Sequence, residues 1–280
     1  MTGTLKLPAG INGFNGKGAV TTASQSRIPI FSATRRPLPV IAQKVSTPWG
    51  EGTITGRLGQ AHCDFLETAC ETAMDSGKDE AGRIMLLLDM GAVRRGMGHN
   101  HTTDEIVLLA RDLRAAEIAV TVKAPRLEIR TDYKIRDYGG ILDEIRILDH
   151  LNVDRRPGVF AAADTNPWRI TFGRSWTQLM ENDLPVFYRQ RALITALRHG
   201  VSQAMARWAL THTKVPGQPL EDVIGYLRYR GQKGRVRDRI AEIHEDGEIL
   251  KNIGVKIQDG RVFYTSPDAK KQRRKSRRCE

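Results

Sequence analysis

Long apolar runs are missing from this chain. No stretch reaches the roughly 18 consecutive apolar residues of a membrane-crossing helix, and the N-terminus lacks the short apolar block and small-residue cleavage site of a secretory signal. Cysteine is scarce. Cys63, Cys70 and Cys279 are the only three in 280 residues; they show no CxxC spacing, which argues against a disulfide framework and for a reducing compartment. These absences make a cytoplasmic protein with no membrane partner the expectation, with Cys63 and Cys70 packed in a helix. Catalytic signatures are missing too: no GxxxxGK[ST] phosphate loop, no GxSxG and no HExxH. No enzyme activity and no cofactor are therefore expected. Acidic residues are absent from residues 1–44 and from the run 270–278, although the chain carries 32 of them.

What is abundant is positive charge. With 44 Lys and Arg the formal net charge is +12, and a chain of that sign suits a polyanion, because cations that neutralise phosphates release condensed counterions. At this length two domains with tails are expected.

Residues 188–265 carry the most informative pattern. Helices are expected within 186–198, over 202–213 and from Pro219, which suits a first helical position. A basic turn follows, Arg230-Gly231-Gln232-Lys233-Gly234. Beyond it Val236, Ile240, Ile243 and Leu250 share one helical face, while Arg235, Arg237, Asp238, Arg239 and Glu242 lie elsewhere. Asp259-Gly260 stands between 255–257 and 262–264, alternating apolar segments, a strong hairpin signal. Helix, turn, basic helix and hairpin are the grammar of a winged helix-turn-helix, whose basic helix enters a DNA major groove. Lys233, Arg235, Arg237 and Arg239 are the candidate contacts to bases and phosphates, joined by Arg230 of the turn; arginine can pair bidentately with guanine.

The first half repeats that order. Residues 1–45 read as a flexible basic arm rich in Gly, Pro, Ser and Thr, with order beginning near Trp49. A short strand around Ile54 precedes a helix marked by Leu58, Ala61, Phe65, Leu66, Ala69, Cys70 and Ala73. Residues 77–80 read as a solvated turn, and 84–88 is ambiguous between strand and helical turn. Thr102 and Glu105 stand in capping-box register before Ile106, Leu109, Ala110 and Leu113. Segments 119–122 and 127–130 look like a wing, and 141–148 like a further strand. Arg94, Arg95, Thr102 and Thr103 are the DNA-contact candidates here, although Asp104, Glu105 and Asp112 offset Arg111 and Arg114. A domain boundary is expected near 152–156, with a strand at 168–172 and a helix around 176–180 assigned to the second domain. Trp168, Trp176 and Trp208 are expected in the core. The expected architecture is α+β: a basic arm (1–45), two tandem winged-helix domains (46–153 and 154–267) and a basic tail (268–280).

His99-Asn100-His101 is the one motif that invites an enzymatic reading, since two closely spaced histidines can ligate a divalent ion in origin-nicking endonucleases. The middle residue is Asn and the pair precedes a helix cap, so a polar loop is the preferred reading and no metal site is assigned. A winged-helix transcriptional regulator would use the same DNA-binding parts and stays open.

The chain resembles the iteron-binding replication initiators of bacterial plasmids, particularly the TrfA-like ones. The resemblance rests on Ile54-Thr55-Gly56-Arg57-Leu58-Gly59 leading into a long helix, Trp168-Arg169-Ile170-Thr171-Phe172-Gly173, the helix 203–212 with Ala206-Arg207-Trp208, and 235–250 leading into the terminal hairpin. It implies tandem winged helices on successive major grooves of repeated origin sites in double-stranded DNA. It also implies opening of an AT-rich region and recruitment of host initiator and helicase, with no catalytic site of the protein's own. Homodimers are implied as well, repressing or inactive where monomers initiate. The resemblance gives the main base contacts to Lys233, Arg235, Arg237 and Arg239, and a DNA grip or a dimerising role to the helix from Thr102.

If the run 270–278 is an electrostatic arm, deleting residues 270–280 should make the salt dependence of DNA binding shallower, by about 0.9 in log-log slope for each phosphate that is no longer neutralised. Site preference should stay. An unchanged slope in a salt titration would identify a merely solvated tail.

Overall fold

Two hydrophobic cores divide the chain, and their border does not follow the order of the sequence. The computed structural model describes residues 19–98, 101–122, 133–139, 141–147, 167–183, 185–188, 190–227 and 236–266. It opens with strand β1 (Ala19–Thr22) and helix α1 (Ala23–Arg27), followed by the antiparallel pair β2 (Val40–Thr47) and β3 (Gly50–Gly56). Next come α2 (Gln60–Thr72), the pair β4 (Asp75–Lys78) and β5 (Ile84–Leu88), α3 (Met90–Gly96), α4 (Thr103–Ala115) and β6 (Glu117–Val122). Strands β7 (Tyr133–Gly139), β8 (Leu142–Ile147) and β9 (Trp168–Phe172) lead to α5 (Arg174–Asn182). Two four-stranded antiparallel sheets result, ordered β2-β3-β6-β7 and β4-β5-β9-β8.

The helices form where local chemistry directs them. Along α2 the expected apolar positions are buried, Phe65 and Ala69 completely, and His62 closes the first turn by accepting the Gly59 N–H on Nδ1 (3.1 Å). Its Nε2 then faces Asp112 at 3.2 Å, tying α2 to α4. Burial pulls the pKa of His62 down, against the opposing pull of Asp112. Helix α4 starts on the expected capping box: Thr102 Oγ1 accepts the Glu105 N–H (3.2 Å) and Glu105 accepts the Thr102 N–H (2.8 Å). The ambiguous run Ile84–Leu88 is a strand because it has partners on both edges, β4 and β9, and buries Ile84, Leu86 and Leu88.

The second core is built from α6 (Arg191–Ala196), α7 (Gly200–Leu210), β11 (Lys214–Pro219), α8 (Leu220–Tyr226), α9 (Val236–Glu245), α10 (Gly247–Ile253), β12 (Lys256–Gln258) and β13 (Arg261–Thr265). Its strands pair in the order β11-β13-β12. Strand β10 (Pro185–Tyr188) pairs with β1.

A buried polar seam joins the cores. Arg207 of α7 is 2% exposed and reaches three side chains of α2. It donates from Nε to Glu67 Oε1 (2.9 Å), from one terminal nitrogen to Gln60 Oε1 (2.8 Å), and from the other to Glu67 Oε2 (2.9 Å) and Asp64 Oδ1 (2.5 Å). Burial pushes the Asp64 carboxyl up, and the Arg207 charge works against that. Arg191 of α6 binds Glu71 of α2, together with Thr68 Oγ1 (2.7 Å) and the Gly96 carbonyl (2.5 Å). Trp49, in the turn between β2 and β3, lies edge-on against Trp208, His212 and Tyr226 at 5.3–6.3 Å between centroids. Arg27 donates to Thr211 through Oγ1 (2.9 Å) and the carbonyl (2.5 Å).

Several expectations are corrected. Residues 19–45 do not form a flexible arm: Ile28, Ile30 and Phe31 fill the first core and Ala23 the second. The surface that buries these apolar side chains comes from the rest of the chain. The strand from Trp168 belongs to the first core, paired between β5 and β8, and Trp176 and Leu179 follow it. The expected boundary at 152–156 lies outside the described residues. Strand β6 pairs with β3 and β7, not as half of a local wing, and 127–130 also lies outside the described residues. Residues 75–78 form a strand that overlaps the turn expected at 77–80. The helix expected within 186–198 is α6 at Arg191–Ala196, and the residues before it, 185–188, pair with β1. The helix expected from 236 to 250 breaks at Asp246.

Two outcomes follow from the seam. Arg207→Met leaves Asp64 and Glu67 buried without their counter-charge and should cost about 3–5 kcal/mol in urea unfolding; a loss near zero would show that the seam does not hold the fold. Burial, aided by the Arg27 charge, pulls the pKa of His212 from 6.5 to about 4. As pH falls the unfolded chain takes up this proton first, so the contribution is whole above about pH 6.5 and is lost towards pH 4, by at most about 1.4 kcal/mol per unit. His212→Asn should flatten unfolding free energy against pH in that window, and an unchanged slope would assign the dependence to other groups.

Candidate nucleic-acid interface

In the second half, α9 lies across α7 and α8. It buries Ile243 fully, with Val236 and Ile240 partly buried against the core. Only one of its faces is apolar, so Arg237, Asp238, Ala241, His244 and Glu245 are left exposed. The angle of the helix is set from its far end. Asp246 is 1% exposed, and its carboxylate accepts the backbone N–H groups of Arg198 and His199 (both 3.0 Å) just before α7. His199 also meets Glu245 at 2.8 Å. The break between α9 and α10 falls at Asp246, whose carboxylate bonds the backbone before α7 and does not cap α10.

The hairpin forms as the Asp-Gly pair requires. Asp259 and Gly260 both have positive φ, +49° and +67°, the two-residue turn whose twist matches the strands it joins. The Gly260 carbonyl accepts the Leu220 N–H (2.9 Å), which ties the tip to the start of α8. Arg261 donates to the Gly217 carbonyl (2.8 Å). Strand β11 has no strand-like pattern in sequence, because Lys214–Pro219 holds two prolines and a glycine; it is tolerated as an edge strand with a register shift between Pro216 and Gln218.

Of the residues singled out in this half, Arg237 is exposed on α9. Arg239 is 38% exposed and bound to Glu242 at 2.7 Å, so its guanidinium already has a partner one turn on. Glu242 is not among the sequence candidates, although its i,i+3 spacing from Arg239 is visible there. Arg230, Lys233 and Arg235 lie outside the described residues.

In the first half the structure brings four candidates together. Arg94 and Arg95 of α3 and Thr102 and Thr103 at the start of α4 line one cleft of about 540 Å³ with Gly98, His101 and Asp104. Its cations come from α3. Its charge is mixed, because Asp104 sits on the rim and Arg95 is 3.7 Å from Asp89. The Thr102 hydroxyl is committed to the helix cap. His101 stands 3.7 Å from Glu105, His99 lies outside the described residues, and among the described residues no group of three or more His, Cys, Asp or Glu could hold a metal ion. No helix of the described residues is long and apolar enough to cross a membrane.

No protein-family model matches the chain, and no curated protein matches it in sequence. Solved structures do. The crystal structure of selenomethionine derivatives of domains 2 and 3 of RctB superposes with a TM-score of 0.53 at 10% identity, covering 86% of this chain and 95% of that one. A second crystal structure of RctB domains 2 and 3 gives 0.48 at 9% identity, covering 86% and 94%. At such identity the likeness is one of fold: a mixed α+β chain, similar to RctB domains 2 and 3 over nearly their whole length.

Proposed function

We propose that the chain is a sequence-specific double-stranded DNA-binding protein that initiates replication of a plasmid or similar replicon. In this reading it binds repeated origin sites, promotes opening of the adjacent duplex, and brings host initiator and helicase there without a catalytic centre of its own. The observation that carries the reading is the second core: from α7 on, helix, strand, three helices and a hairpin, with the three strands paired in the order β11-β13-β12. That order suits a winged helix in which α9 is the recognition helix and the Asp259-Gly260 hairpin the wing. Arg237 then faces the major groove.

The first half is the second grip. Its cations sit on α3 and its acids at the start of α4, so Arg94 and Arg95 contact phosphates and α4 does not lie deep in a groove. The fold shared with two consecutive RctB domains, and the resemblance to iteron-binding initiators, both support a pair of units acting together.

DNase I footprinting on the DNA flanking the protein's own gene tests the reading, with protected direct repeats expected. A single protected palindrome would favour a transcriptional regulator, and no protection at all would overturn DNA binding. On the protected site Arg237→Ala should cost about 1–3 kcal/mol and relax specificity, whereas Arg239→Ala should cost less because Glu242 holds that side chain. Equal losses on cognate and random DNA would make Arg237 a phosphate contact only. Supercoiled origin DNA incubated with the protein and magnesium or manganese should stay intact; nicking that His101→Ala abolishes would make the chain an endonuclease.

A further inference from the structure

Leu38 and Ile41 are 82% and 89% exposed, the most exposed large apolar side chains among the described residues. They are held there by construction. Pro37 is buried, and Arg57 Nε donates to its carbonyl (3.1 Å). The β2–β3 ladder runs in register from Thr47↔Gly50 to Gln43↔Ile54 and then skips to Val40↔Gly56. Ile41 and Ala42 therefore form a bulge, with Ala42 at φ +48° and its N–H bonded to Thr55 Oγ1 (3.0 Å). Val40 packs back against the first core. The two apolar side chains thus project from a segment pinned on both sides.

The same features argue against another strand docking on this edge, since a bulge, Pro39 and Lys44 are the devices that keep an edge strand from pairing. A patch of two side chains is also far below the roughly 800 Å² per partner of a stable protein interface. It does match the size of the Leu, Ile or Pro wedges that enter a base step in the minor groove. The surroundings favour DNA as well: Arg36, Lys44 and Arg57 are exposed nearby, and residues 19–50 contain no acid. The segment leaves the seam between the two units. The Thr34 carbonyl accepts the Gln60 N–H at the start of α2 (2.9 Å), and Gly200 at the start of α7 lies so close that a Cβ there would sit 2.5 Å from Thr34 Cα.

We propose that Leu38 and Ile41 form a wedge that enters the minor groove and unstacks a base step. This rests on the duplex-binding function proposed above and deepens it. Unstacking is least costly at flexible pyrimidine–purine steps such as TA, so the wedge gives the protein a direct means of starting strand separation in an AT-rich region without nucleotide hydrolysis. Arg36, Lys44 and Arg57 hold the flanking phosphates.

The test uses the full chain and a duplex carrying one protected repeat, with 2-aminopurine replacing each adenine in turn. Binding of the wild type should raise fluorescence at one step by about threefold or more, the signature of unstacking. Leu38→Ala/Ile41→Ala alters two exposed side chains and should keep the fold, with affinity changed by less than about threefold while the fluorescence rise is lost. An equal rise in the variant, or tight binding by the wild type with no rise at any step, would overturn the wedge and leave the DNA-binding reading standing. Failure of the wild type to bind the duplex would overturn that reading, and the wedge with it.

Discussion

The joint between the two cores is built on one guanidinium. Arg207 is buried between two cores and faces Asp64, Glu67 and Gln60 on α2. An arginine stripped of water is tolerable only if its charge and its donors are matched, so these partners fix both the distance and the rotation between α7 and α2. Trp49, Arg27 and Arg191 extend the contact on either side. The halves are therefore joined through a polar joint of defined geometry, independent of the segment that links them in sequence.

That joint bears directly on function. A tandem DNA-binding protein on a flexible linker would accept variable spacing between its two sites. Here α9, presented by the second core, and the cleft around Arg94 and Arg95, presented by the first, are connected through α7 and α2. The segment 34–42 emerges where those two helices begin.

Local chemistry was the part legible from sequence. The capping box at Thr102, the Asp259-Gly260 hairpin and the apolar face of α2 depend on neighbours a few residues away, and they appear where expected. What was not legible depends on distant partners. Nothing in residues 19–45 announces that Ile28, Ile30 and Phe31 will be buried by helices far along the chain. Strand β9 joins the first core because β5 and β8 leave a gap for it, a fact of sheet order and not of pattern. Strand β11 contradicts local propensity with its prolines and survives on an edge. Arg207 itself reads in sequence as part of a small-residue scaffold helix; its acidic partners are 140 and 143 residues away. At the candidate interface, the exposure of Arg237 followed from helical periodicity, whereas the cleft at Arg94 required α3 to fold back on α4.

The central claim is that one rigid body grips one duplex at two places. It is tested most directly by measuring affinity for duplexes in which base pairs are inserted between the two protected halves of a single site. Rigid coupling predicts that an insertion of about 5 base pairs, half a helical turn, reduces binding to that of one half-site, and that about 10 base pairs, a whole turn, does not restore it. Undiminished affinity with either insertion would contradict the account and describe two units that move independently.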